Sequence, residues 1–260
     1  MTAPGTELAQ TAGDGTLTLT LNRPHARNAL TGTMIRGIGA ALIAAENDPG
    51  ITTIILTGAG DRAFCAGMDL RTFTEGGDIG SGKDPETLAY YRLVRGETTV
   101  PVVGAVNGTA IGGGLELLLG CDLIVAADDA RFGLPESKRG LFPGGGGTDI
   151  GTRIPLSAAL EMTLTGELIT ARRGYELGLV NEVVGADQLM DAAHRHAERI
   201  AANAPLGLAA CKELVRLAVA SPEKVAERLP HWQSVVFSSD DAREGATAFI
   251  EKRVPKWTGR

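Results

Sequence analysis

Only three cysteines occur in 260 residues, Cys65, Cys121 and Cys211, and they form no spaced cluster. An odd and scattered set argues against a disulfide framework and fits a reduced, cytosolic compartment. Aromatic residues make up 4% of the chain, and no basic stripe offsets the net charge of −6. That balance argues against nucleic acid as a partner. The longest apolar runs are broken by Gly or Asp well short of a membrane span. Residues 1–10 hold neither a basic stretch nor an apolar core, so no signal peptide is expected. There is no G-x-S-x-G, no Walker loop and no H-E-x-x-H. His194 and His196 are two apart on a predicted helix, so they point to different faces and suit no metal.

What is present is ordinary globular composition, 43% hydrophobic and 22% charged. A chain of this length buries roughly three quarters of its unfolded surface as one large domain with a small appendage. Thr16 to Leu21 alternates with period two behind an Asp14-Gly15 turn and predicts a hairpin arm. Thr31 is placed to cap a helix to about Asn47, with Met34, Ile35, Ile38, Leu42 and Ile43 on one face. Buried strands are expected at Ile51 to Leu56, Pro101 to Val106 and Cys121 to Ala126. Helices are expected at Asp84 to Glu97 and Gly113 to Leu119, and the alternation predicts a largely parallel sheet. From Ser157 the patterns are mostly helical: Ser157 to Leu164, Thr170 to Leu177, Ala186 to Ala202, Pro205 to Ala220, Pro222 to Phe237 and Asp240 to about Arg253. A short strand, Val180 to Val184, interrupts them, and Glu75 to Lys83 is a loop by composition.

Two glutamates stand beside segments able to shape a pocket. Glu116 closes the run from Asn107 through Gly112-Gly113-Gly114, and Glu136 ends Phe132-Gly133-Leu134-Pro135-Glu136. The three glycines let backbone approach a ligand, and a helix starting there leaves its first N–H groups unpaired to stabilise an oxyanion. Tight helix-on-sheet packing explains the same glycines. Glu116 in the first turn is expected to be ionised, favoured by the helix dipole, and could serve only that purpose. The apolar neighbours of Glu136 predict a raised pKa, with Lys138 and Arg139 opposing it; a surface pair with Lys138 is the alternative. Two carboxylates in unlike settings suit an acid and a base.

The stretch Arg62 to Leu70 reads as a loop at a strand end, too rich in small residues for a strand. In it, Met68 could be core filler, Asp69 a turn cap, and Cys65, lacking a local base, a packing residue. Gly58-Ala59-Gly60-Asp61-Arg62-Ala63 overlaps it and fits the G-x-G-x-x-A dinucleotide fingerprint. That motif should open a helix, whereas a Phe-Cys-Ala-Gly loop follows here.

Taken in order, several segments resemble the enoyl-CoA hydratase/isomerase (crotonase) family. They are Leu21-Asn22-Arg23-Pro24 with Arg27-Asn28-Ala29-Leu30, Ala63 to Leu70, Val106 to Glu116, Cys121-Asp122, Phe132 to Glu136, Arg139-Gly140-Leu141, Gly178 to Asn181 and Ala248 to Arg253. The resemblance covers nearly the whole chain. It implies an α/β fold, a crotonase-like spiral of β-β-α units over residues 1–200. A helical C-terminal trimerisation region over residues 201–260 would follow, in a homotrimer or dimer of trimers.

The implied substrate is an acyl-CoA thioester, with coenzyme A part of the substrate and no other cofactor and no metal. The implied oxyanion donors are the backbone N–H groups of Met68 and Gly113. Glu116 would assist attack of water on the β-carbon and Glu136 would protonate the α-carbon. Members that only isomerise, dehalogenate or hydrolyse commonly lack one of the two acids, so keeping both favours hydration. An isomerase, a carnitinyl-CoA-type dehydratase or a non-catalytic acyl-CoA-binding protein are the alternatives. For CoA, the resemblance implies His25, Ala26 and Arg27 near the phosphates and Ala66, Asp69 and Leu70 near nucleotide and pantetheine. Phe249 and Lys252 would reach the adenine from an adjacent subunit. Two departures stand out. Pro143 to Ile150 (PGGGGTDI) replaces a commoner Pro-Gly-Ala-Gly-Gly-Thr-Gln-Arg, and Gly174 stands where a helix former is usual.

Overall fold

A computed structural model describes residues 6–69 and 82–260. Leu70 and most of the glycine-rich Glu75 to Lys83 stretch lie outside these residues. The first sheet runs β1 (Leu8–Gly13), β2 (Thr16–Leu21), β3 (Thr53–Gly58), β5 (Val102–Val106), β7 (Leu123–Ala127) and β10 (Glu182–Val184) in that order. The β1/β2 pair is antiparallel and turns at Asp14-Gly15, both at positive φ, and the remaining pairings are parallel. A second sheet orders β4 (Ala63–Cys65), β6 (Thr109–Ile111), β8 (Arg131–Gly133) and β9 (Ile169–Thr170).

The two sheets explain the spiral. Each of the pairs β3/β4, β5/β6 and β7/β8 sends its first strand to the large sheet and its second to the small one. Helices then return the chain: α1 (Gly32–Asn47) after the hairpin, α2 (Pro85–Val94), α3 (Gly113–Leu119) and α4 (Leu156–Thr165). Next come α5 (Ala171–Glu176) and α6 (Leu189–Ala201), then the C-terminal α7 (Pro205–Ala220), α8 (Pro222–Phe237) and α9 (Asp240–Glu251).

Caps fall where the sequence puts them. Thr31 accepts from Met34 N at the start of α1, and Asp84 accepts from Thr87 N at the start of α2. The predicted strand at 51–56 starts two residues later, because Ile51 N still closes the turn on Asp48 O and Thr52 N donates to Gly15 O. The reading of Arg62 to Leu70 as free of strand is corrected: Ala63–Cys65 is β4, fully buried between β3 and α3. Its three small-sheet companions were not expected from the sequence either. Each has only two or three residues, too few to show a period. The stretch after Gly58 leads directly into β4 and not into a helix, so the dinucleotide fingerprint is not realised.

Leu19, Leu21, Met34, Ile38, Leu42, Ile54, Leu56 and Phe64 fill the main core, while Ile55, Val103 and Val125 pack with Ala192, Ala193 and Ala197 of α6. Fully burying each large side chain contributes about 1.5–3 kcal/mol. Two asparagines rivet the loops at the ends of the large sheet. Buried Asn28 donates to Ala59 O (2.9 Å) and Ala63 O (2.8 Å) and accepts from Arg23 N (2.9 Å). Asn107 accepts from Gly58 N and donates to Gly60 O. None of the described helices is long and apolar enough to cross a membrane.

Candidate active site

The N-terminal end of α3 faces the loop that follows β4. Gly114 permits this approach: a Cβ there would stand 2.3 Å from Cys65 O. The loop is stitched to the segment before α1, with Ala66 N donating to Arg27 O (3.0 Å), Leu30 N to Gly67 O (2.8 Å) and Asp69 N to Leu30 O (2.9 Å). Gly67, at φ +87°, turns the chain so that Met68 N comes to the start of α3. A Cβ on Gly113 would lie 3.5 Å from Met68 N, and one on Gly67 would lie 3.1 Å from Gly113 N. The two amides therefore stand side by side. Neither donates to a backbone carbonyl among the described residues.

They open on a cavity of about 580 Å³ whose wall includes Ala66, Met68, Gly113, Glu116 and Glu136. Tyr90 and Tyr91 of α2 line it too, as do Arg139, Leu141, Phe142 and Gly145. The two glutamates expected from sequence thus share one chamber with both expected donors. Met68 is not core filler; it is 37% exposed on the cavity wall.

Glu116 is buried, and its Oε1 accepts from Gly145 N (2.9 Å) and Gly147 N (3.0 Å). Burial raises its pKa above the ordinary carboxyl value, and the two N–H donors only partly offset this. Desolvation thus outweighs the backbone donors at this helix start, and the carboxyl lies above its ordinary value. Glu136, in the 3₁₀ turn Pro135–Arg139, is half-buried, and its pKa is also raised. Burial is the main cause and the charge of Glu116 adds to it; its own backbone N–H and Arg139 work against it. Lys138 takes no part, because it pairs with Glu167, so the surface-pair reading of Glu136 fails. Glu136 Oε2 is buried with no hydrogen-bond partner among the described residues. Cys65 is packing only, its thiol pushed up to about 12 by burial.

A smaller hollow of about 240 Å³, lined by Arg27, Arg62, Ala63, Ala66, Thr109 and Ile111, adjoins the first, sharing Ala66 and Ile111 with it. His25 and Ala26 sit in the 3₁₀ turn Pro24–Ala26 just before Arg27 and line neither hollow. The Asp69 carboxylate accepts from Arg23 at 3.0 Å, which ties the loop to the segment before α1; the turn it was expected to cap lies outside the described residues. Phe249 and Lys252, at the end of α9, line neither hollow; Phe249 is 86% exposed. Leu70 lies outside the described residues. Sequence reasoning passed over Tyr90, Tyr91, Gly145, Gly147 and Arg62. The scarcity of aromatics was one available signal for the tyrosines. Nothing local in a glycine run shows which carboxylate its N–H groups will meet.

A β-β-α spiral with two carboxylates and two convergent amides on one cavity defines an architecture of the crotonase type. The family model for enoyl-CoA hydratase/isomerase matches residues 11–260. An enoyl-CoA hydratase of Mycobacterium tuberculosis, EchA19, is 41% identical over 255 residues, covering 94% of each chain. A carnitinyl-CoA dehydratase of Proteus mirabilis is 38% identical over 254 residues, covering 94% of this chain and 95% of that one. The crystal structure of the enoyl-CoA hydratase EchA1 of Mycobacterium marinum superposes with a TM-score of 0.89 at 40% identity, covering 98% of this chain and 99% of the other. The chain belongs to the enoyl-CoA hydratase/isomerase family. It is an enzyme of that family with the crotonase fold and a helical C-terminal region.

Proposed function

We propose that the protein adds water reversibly to a 2-enoyl-CoA thioester, and that Glu116, Glu136, Met68 and Gly113 carry the reaction. The observation that supports this best is the sharing of one cavity by both carboxylates and both amides. The thioester oxygen lies between Met68 N and Gly113 N, which stabilise the enolate; one such donor is worth about a hundred- to thousandfold in rate. Glu116 takes a proton from water as its oxygen bonds to the β-carbon. The π electrons move onto the thioester oxygen, and Glu136 then delivers a proton to the α-carbon. This division follows the hydrogen bonds. Two N–H groups support charge on Glu116, whereas Glu136 has a buried oxygen without a partner, which favours the protonated form. Coenzyme A enters as part of the substrate, and the chemistry calls for no cofactor or metal, because the thioester itself stabilises the enolate.

The hollow at Arg27 and Arg62 supports a place for CoA phosphates beside Ala66, with His25 and Ala26 on the approach. Asp69 and Leu70 would shape the loop around pantetheine. Phe249 and Lys252, which line neither hollow, suit contact with the adenine of a neighbouring subunit in a homotrimer or dimer of trimers. Residues 201–260 would form that assembly and residues 1–200 the spiral core. Dehydration is the same step reversed. The test is incubation with crotonyl-CoA and longer 2-enoyl-CoAs, following loss of the conjugated thioester absorbance. Turnover is expected; acyl-CoA binding without turnover at any chain length would sink the hydratase reading.

A further inference from the structure

The far end of α3 is held by side chains from outside its own β-β-α unit. α3 begins at the cavity with Gly113 and Glu116 and ends at Leu119. Arg153 Nη1 donates to Leu119 O (2.7 Å) and Cys121 O (3.0 Å). Arg216 Nη2, from α7 and 96 residues along the chain from Gly120, donates to Gly120 O (3.0 Å). It also donates to Cys121 O (2.9 Å). These are the carbonyls that a helix leaves unpaired at its C-terminus, where cations are favourable. Asp122 balances the charge, accepting from Arg216 (3.0 Å), from Lys212 (2.8 Å) and from Val102 N (2.8 Å). Lys212 is further tied to Thr98 Oγ1 and Val100 O.

Arg216 has a second contact. Its guanidinium lies against Gly96, where a Cβ would come within 2.2 Å of Nη1. Gly96, at φ +70°, follows α2, the helix that puts Tyr90 and Tyr91 on the cavity wall. One side chain of the C-terminal helices therefore bears on the ends of two of the helices that line the cavity. A helix of seven residues has few internal hydrogen bonds to hold its own place. Oxyanion donors must also keep their geometry to within about half an ångström.

We propose that Arg216 is a positioning residue: by gripping the carbonyls after α3 it fixes that helix along its axis, and so keeps Gly113 N–H and Glu116 in register with Met68 and Glu136. This rests on the reading of the site as an enoyl-CoA hydratase. It gives the C-terminal helices a task in the chemistry of their own subunit, separate from any assembly.

The test compares wild type with Arg216→Gln and Arg216→Lys in crotonyl-CoA hydration. A second readout is the near-ultraviolet absorbance of the enolate of acetoacetyl-CoA bound to each protein, which reports the amide pair without turnover. Arg216→Gln should lower kcat about tenfold with KM within about twofold, as expected for a sub-ångström misplacement, and should weaken the enolate signal. Arg216→Lys should restore most of both. Gly96→Ala, which pushes the guanidinium aside and leaves Arg216 in the sequence, should act in the same direction as Arg216→Gln. Wild-type kcat and enolate signal in Arg216→Gln would overturn the proposal. So would a loss that only tracks the folded fraction measured by circular dichroism. If Arg216→Gln does not fold, unchanged kcat in Gly96→Ala and full activity loss without rescue in Arg216→Lys would overturn it equally. Failure of the wild type in both assays would instead overturn the hydratase reading itself.

Discussion

Burial acts on Glu116 and Glu136 in the same direction but leaves them different hydrogen-bond partners. Both pKa values lie above the ordinary carboxyl value. As pH falls through the raised value of Glu116, the base is lost; as it rises through that of Glu136, the acid is lost. Hydration should therefore give a bell-shaped pH–rate profile whose acid limb lies above the usual carboxylate range. A profile flat across that limb would refute the assignment of Glu116 as base. Glu116→Gln and Glu136→Gln should each lower kcat by about a hundred- to ten-thousandfold, measured on crotonyl-CoA. Stability moves the other way. The folded state binds these protons more tightly than the unfolded chain, so their contribution is complete below the ordinary carboxyl value and is lost as pH rises through the raised one. Glu136→Gln should accordingly unfold at a higher midpoint than wild type at about pH 8, the gap closing toward about pH 4. Thermal denaturation at a series of pH values would show it.

At the scale of elements, the site depends on how closely α3 lies on β4. Gly114→Ala would put a methyl group 2.3 Å from Cys65 O, against backbone that has nowhere to retreat. The substitution should cost about 1–3 kcal/mol by overpacking and should lower kcat as well, since Gly113 moves with its neighbour. Urea denaturation and steady-state kinetics on the same preparation test both halves. The longer elements were legible in sequence: α1, α3, α7 and α8 carry caps, prolines or apolar faces that local chemistry fixes. The small sheet was not. β4, β6, β8 and β9 are too short to declare a period; the first three each continue a strand of the large sheet around a bend, and β9 adds to them antiparallel beside β8.

For the molecule as a whole, the C-terminal helices present Phe237, Phe249 and Ile250, and the tail after them Val254, each at least 75% exposed in the single chain. Apolar side chains so exposed suit a surface covered by another subunit. On the proposed homotrimer or dimer of trimers, the pair Phe249→Asp and Ile250→Asp should shift the protein toward monomer by analytical ultracentrifugation. If the adenine is reached across that interface, KM for enoyl-CoA should rise with it; an unchanged oligomer and KM would refute the placement of Phe249.

The sequence by itself determined which residues could do the chemistry. Glu116 behind three glycines, Glu136 behind an apolar run, and the loop at Met68 are local patterns, as are the caps and prolines that start the helices. Only the tertiary structure decided what those residues became. The pKa of Glu116 is raised because burial is a property of everything packed around it, and its two donors, Gly145 and Gly147, come from 29 and 31 residues away. The grip of Arg216 on the end of α3 spans 96 residues. Desolvation and contacts at that separation depend on the path of the whole chain, which no local spacing encodes.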